Sequence, residues 1–270
     1  MRRFLIVSIV CAFFFMAFFI YYQYRWRHLW TFENERTSYP VRCHVDDTLR
    51  IAMIGDSWAE MHSTNKMDSS FQLRLSNQTG IPVKMTSKGK GGEKSRGIYQ
   101  LLFDEDDKYG TKAIITSGIN YCIISAGIND AAANLGPRLY CYHMRLILKF
   151  LLSNNIFPVV IEVPDVNIWH VYGGKPLKDL ASDYVRSIMS HCKMYQMKEY
   201  RDSLQSMLIN ENLLDSVIYI YMNEWNGDGT NINQQLFLDD QIHLNRKGYE
   251  ILDSCIANAI SADVMSRGFE

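Results

Sequence analysis

Apolar and polar positions fall into two kinds of stretch along this 270-residue chain. Residues 49–54, 121–126, 157–163 and 217–221 are short apolar runs, the first two closed by Gly55 and Gly127. Runs of that length with such boundaries read as buried strands. Between them apolar residues recur at helical spacing over about 69–77, 96–103, 137–152 and a long stretch at 177–210. A last helix is expected from Asn245, a suitable N-cap, to about Ile260. Strands alternating with helices predict an α/β domain with a mostly parallel sheet covered on both faces. Strand order is left open by the pattern.

The first thirty residues follow a different rule. Residues 4–22 carry no charge and are rich in Phe, Ile and Val, which is near the minimum length for crossing the hydrocarbon core as a helix. Arg2 and Arg3 precede the tract, and Tyr21, Tyr22, Tyr24, Trp26 and Trp30 cluster behind it as interfacial aromatics do. No small-x-small pattern follows, so an uncleaved anchor is favoured over a cleaved signal peptide. Cys11 sits too deep in the tract for a lipidation site. The expected organisation is a single-pass transmembrane anchor over 1–30 and a folded domain over 45–265. A short tail before a signal-like segment places that domain on the extracytoplasmic, periplasmic side.

Composition narrows the function classes. A formal net charge of −1 gives no reason to expect nucleic-acid binding. Six cysteines without a CxxC spacing imply neither a zinc site nor a disulfide framework, although Cys43 could pair in an oxidising compartment. The run from Gly89 to Ser95 sits where a phosphate loop would, but Glu93 occupies the place of the required glycine before Lys-Ser. Lys88, Lys90, Lys94 and Arg96 then read as a solvated loop face, and His191-Cys192 as structural.

Three blocks carry chemistry: Gly55-Asp56-Ser57, Gly127-Ile128-Asn129-Asp130 and Asp240-Gln241-Ile242-His243. Singly each is bland, since Gly-Asp-Ser is a common turn, Asn-Asp a common cap and a lone histidine usually a surface residue. In this order, two after strands and one before the terminal helix, they supply a nucleophile, an amide donor, a base and its orienter. Ser57 is a poor nucleophile until His243 takes its proton, and Asp240 three residues earlier can hold the imidazole in the productive tautomer. Asp56 is expected to fix the turn, and Asp130 to cap or support.

With these blocks the chain resembles the SGNH, or GDSL-type, hydrolases over about residues 49–260. Gly55-Asp56-Ser57-Trp58 fits the first family block, with Trp58 where leucine is frequent. Gly127-Ile128-Asn129-Asp130 fits the second. The last block fits Asp240 to His243, followed by Leu244-Asn245 and Gly248-Tyr249. The glycine block falls within 87–95, where the family more often shows an asparagine and fewer lysines; Gly92 is the best match, with Gly89 and Gly91 open. The resemblance implies a three-layer α/β/α sandwich with a flavodoxin-like, mostly parallel five-stranded sheet. It also implies catalysis by Ser57, Asp240 and His243 without metal or cofactor. The oxyanion hole would comprise the Ser57 and Gly92 amides and the Asn129 side chain. Trp58, Trp169 and Trp225 are candidates for lining the substrate site. The expected substrate is a small ester or acylated glycan. An O-acyltransferase using the same residues, or an inactive glycan-binding envelope protein, are the alternatives.

Overall fold

The computed structural model describes residues 2–42, 47–222 and 234–267, and the chain divides into two compact units, Met1–Glu33 and Asn34–Glu270. The first is helix α1, Arg2–Trp26, running into a 3-10 turn at Arg27–Trp30. Its Phe13, Phe14, Phe15 and their neighbours are exposed on every side. A helix apolar all round belongs in a membrane or a core. Among the described residues, Phe4–Trp30 is the stretch long and apolar enough to cross a bilayer, as an anchor or a signal sequence.

The second unit alternates strand and helix. In chain order it contains β1 (Leu49–Gly55), α2 (Ser57–Thr64), α3 (Met67–Thr79), β2 (Val83–Gly89), α4 (Ser95–Leu101), α5 (Lys112–Thr116) and β3 (Tyr121–Ser125). There follow α6 (Ile128–Ala132), α7 (Pro137–Ser153), β4 (Phe157–Ile161), α8 (Ile168–Tyr172), α9 (Leu177–Met189), α10 (Met197–Asn210), β5 (Ile218–Ile220) and α11 (Arg246–Arg267). The five strands are parallel in the order β2-β1-β3-β4-β5. Helices α3 and α11 pack together, as do α4 and α10 with α7, so the expected α/β/α layering is present. Strands β1 and β3 are apolar on both faces and almost wholly buried.

Two elements differ from the apolar pattern. Strand β2 was not among the continuous apolar runs, because only its alternate residues Met85, Ser87 and Gly89 are buried. It is an edge strand with lysines along it, which suits an edge that must not pair further. The expected long helix over 177–210 is broken: α9 ends at Met189 and α10 starts at Met197. His191 and Tyr195 take left-handed backbone conformations between them, with φ of 52° and 58°, and the Tyr195 N–H donates to Asn134 Oδ1 at 2.9 Å. A tertiary hydrogen bond thus stops a helix that carries no glycine or proline at the break. Asn245 does cap α11, its Oδ1 accepting from the Gly248 N–H at 3.0 Å.

The folded unit reaches forward of β1. The Tyr39 hydroxyl donates to the Leu102 carbonyl at 2.6 Å, and its ring packs on Phe103 and Phe150. Arg36 lies over the Phe103 ring.

Candidate active site

Strand order decides where a site can form. In an open parallel sheet, ligands bind beyond the carboxyl ends of strands where successive connections leave to opposite faces. Here β1 and β3 are central neighbours, with β2 on one side and β4 on the other. Ser57 follows β1 and Asn129 follows β3, so that crevice receives both.

Close approach of the two strands explains Gly55. A Cβ there would stand 2.1 Å from the Ser125 carbonyl oxygen, with φ at +151°. Asp56 is buried and caps α2, its Oδ1 accepting from the Trp58 N–H and the Ser125 hydroxyl, both at 3.0 Å. Burial pushes its carboxyl up to about 6 against those two hydrogen bonds. Asp56 holds the turn, as expected of it, and leaves Ser57 as the first residue of the helix.

The third block closes on Ser57 from the other end of the chain. His243 Nε2 is 2.9 Å from Ser57 Oγ, and Nδ1 is 2.6 Å from Asp240 Oδ2. Asp240 Oδ1 accepts from the Ile242 and His243 N–H groups, both at 2.9 Å. Partial burial opposes its ionisation, but these N–H donors and the imidazole outweigh it and hold the carboxyl below the ordinary range. An ionised Asp240 accepts a hydrogen bond from Nδ1–H, which leaves Nε2 as the acceptor toward Ser57. Asp240 makes the imidazole contact that the three-residue spacing called for.

The three candidate glycines separate clearly. Gly89 ends β2, where a Cβ would meet Asp56 and Glu60 backbone within 2.4 Å. Gly91 spends its N–H on Glu60 Oε2 at 2.8 Å. Gly92 has φ +74° with open space around its Cβ position, lines the same cavity as Ser57, and its N–H has no partner among the described residues. Asp130 supports this loop by accepting from the Ser95 N–H and hydroxyl at 2.9 and 2.6 Å, at the start of α4. Asn129 donates to Asp56 Oδ2 at 3.4 Å and also lines the cavity.

That cavity, about 210 Å³, is walled on its apolar side by Ile128, Ala132, Ile168, Val171 and Tyr172. Two expected lining residues stand elsewhere. Trp58 is 1 % exposed and faces the core; its Nε1 donates to the Ile242 carbonyl at 3.1 Å, bolting α2 to the His243 loop. Trp169 is not in the wall; its exposed ring rests edge-on against Tyr195, while buried Ile168 and partly exposed Val171 of the same turn border the cavity. Trp225 lies outside the described residues, as does Cys43. Ile168, Val171 and Tyr172 reach the cavity from the stretch 167–172, which follows β4 and whose aromatic residues mark it in the sequence as a lining for the mouth of the site. The lysines of the glycine loop are engaged locally, with Lys90 paired to Glu93 and Lys94 bonded to the Gly92 carbonyl. His191 and Cys192 lie at the break between α9 and α10, and the Tyr200 hydroxyl donates to Cys192 Sγ. Among the described residues no group of three or more His, Cys, Asp or Glu could hold a metal ion.

No protein-family model matches the sequence, and no curated protein matches it. Solved structures do match. A GDSL-like lipase from Bacteroides thetaiotaomicron is 15% identical, with 79% of this chain and 88% of that one covered at a TM-score of 0.52. The fold is that of the GDSL-like hydrolases. The psychrotrophic esterase EstA from Pseudoalteromonas, in a structure inhibited by monoethylphosphonate, is 13% identical, with 81% and 99% covered at 0.54. An acetyl xylan esterase, AlAXEase, is 13% identical, with 78% and 100% covered at 0.54. Identities this low speak for the GDSL architecture, and the chemistry must be argued from the residues.

Proposed function

We propose that this protein is a serine ester hydrolase working through an acyl-Ser57 intermediate. The observation that carries the reading is the run of short contacts from Asp240 through His243 to Ser57 at the edge of the sheet. In this reading His243 Nε2 takes the Ser57 proton as Oγ attacks the ester carbonyl, and then returns it to the departing alkoxide. Water, deprotonated by the same imidazole, releases the acid. The Ser57 and Gly92 N–H groups and the Asn129 amide receive the oxyanion, each donor contributing roughly 3 kcal/mol to barrier lowering. Asp240 keeps the imidazole in its working tautomer.

The cavity supports a short acyl group. A void of about 150 Å³ takes up a benzene-sized molecule, so about 210 Å³ suits an acyl chain of a few carbons. An acetyl ester on a carbohydrate is one substrate of that size, and the acetyl xylan esterase shares the fold. The anchor reading adds a location, with Phe4–Trp30 in a bilayer and the folded unit on its extracytoplasmic side.

A fluorophosphonate probe tests the nucleophile. Labelling should fall on Ser57 and be abolished by Ser57→Ala. Labelling at another residue, or full ester cleavage by Ser57→Ala, would overturn the reading.

A further inference from the structure

Helix α9 is built inside out. Its inward face is polar: Asp183 and Ser187 are buried, and Asp183 is paired with Arg186, with Lys175 Nζ at 2.8 Å and with the Tyr195 hydroxyl. Its apolar stripe, Leu177, Ala181, Tyr184 and Ile188 at helical spacing, faces out, with Leu177 at 82%, Tyr184 at 59% and Ile188 at 56% exposure. The buried ion cluster fixes this orientation, because rolling the stripe inward would drag Asp183 from its partners. Helix α8, which precedes α9 in the chain, also exposes Trp169 and Val171, and the Trp169 ring rests on Tyr195, whose hydroxyl meets Asp183 of α9. Val171 also lines the Ser57 cavity.

We propose that the outer face of α8 and α9 is a membrane-docking surface that lies in the lipid interface beside the mouth of the Ser57 cavity. Trp, Leu, Tyr and Ile on one face of a helix are what an interfacial helix buries among headgroups and upper acyl chains. Size argues against a second copy of the chain. A helix of 13 residues is about 20 Å long, and one face of it falls short of the roughly 800 Å² per partner of a stable protein interface. The chain also supplies a reason to be at a bilayer, in the apolar stretch Phe4–Trp30. The inference stands on the surface of α8 and α9 and not on the esterase reading.

The test uses the full chain in vesicles of phosphatidylcholine and phosphatidylglycerol. The photo-crosslinking amino acid p-benzoylphenylalanine replaces Ile188 in one chain, Tyr184 in a second and Leu73 in a third; all three positions are exposed, and Leu73 stands on α3. Irradiation should add a phospholipid mass to the peptides bearing positions 184 and 188, at least tenfold above position 73. Equal, low lipid yield at all three positions would overturn the proposal. Crosslinks from 184 and 188 to a second copy of the chain would overturn it in favour of a dimer face.

Discussion

Ser57 and His243 are 186 positions apart in the chain, yet their side chains stand 2.9 Å apart. In the proposed mechanism they act as one unit, so the penalties for losing them should not add. A chain beginning at Thr31 should hydrolyse p-nitrophenyl acetate, and Ser57→Ala and His243→Ala should each lower kcat by roughly a thousandfold or more. The double variant should be little worse than either. Asp240→Asn should cost less, because the Ile242 and His243 N–H groups still orient the loop. Gly92→Ala tests a different idea. A Cβ there meets nothing within 4 Å but sits at φ +74°, which costs a non-glycine residue about 1–2 kcal/mol. Relief of that strain would turn the N–H away from the cavity. Steady-state kinetics should show kcat falling about tenfold or more while KM changes far less; an unchanged kcat would remove this donor from the mechanism.

At the scale of elements, what was legible in the sequence follows the physics of burial. Strands β1 and β3 are buried on both faces, so they write continuous apolar runs; β2 is buried on one face and writes only a weak alternation through Met85 and Ser87. Serine, asparagine and histidine were legible because they sit at strand ends and before a capped helix, positions that local signals mark. The break between α9 and α10 was not, because a side chain far away in sequence, Asn134, imposes it. Trp58 was misread for a related reason: an aromatic beside a serine reads alike whether it turns to substrate or, as here, to the Ile242 carbonyl. The segment at 34–42 also escaped, being polar and irregular. Tyr39 nevertheless packs on Phe103 and Phe150, and Glu35 pairs with Lys149. A chain beginning at residue 45 should therefore be less stable than one beginning at Thr31 by about 2 kcal/mol, the worth of a partly buried aromatic with its hydrogen bond. Urea unfolding of the two chains measures this; equal midpoints would show that the segment contributes nothing.

For the whole folded unit, buried charge sets how stability responds to pH. His62 is fully buried, with Nε2 3.0 Å from Asp253, Nδ1 2.9 Å from Asp68 and the Ser87 hydroxyl beside it. These contacts join α2, which begins at Ser57, to α11, which follows His243, and the Tyr249 hydroxyl adds a hydrogen bond to the Trp58 carbonyl. Burial alone would depress the imidazole, but the two carboxylates overcome it and raise it from 6.5 to about 9. A folded-state value above the unfolded one stabilises fully below pH 6.5, and the gain is lost as pH climbs through 9. The displacement corresponds to about 3 kcal/mol. Asp56 and Asp130, raised by burial from 3.8 to about 6, act in the same direction over a lower window, since their folded forms hold protons that the unfolded chain has released. Asp68 and Asp240 are lowered and oppose this trend only in acid. Thermal unfolding should therefore give a Tm that falls steadily from about pH 5 to pH 9. His62→Gln should lower Tm throughout and flatten the limb between pH 6.5 and 9 while leaving the limb near pH 5 in place. A His62→Gln chain whose upper limb stays as steep as the parent's would show that His62 enters the fold uncharged, and the clamp between the Ser57 helix and the terminal helix would then rest on neutral hydrogen bonds alone.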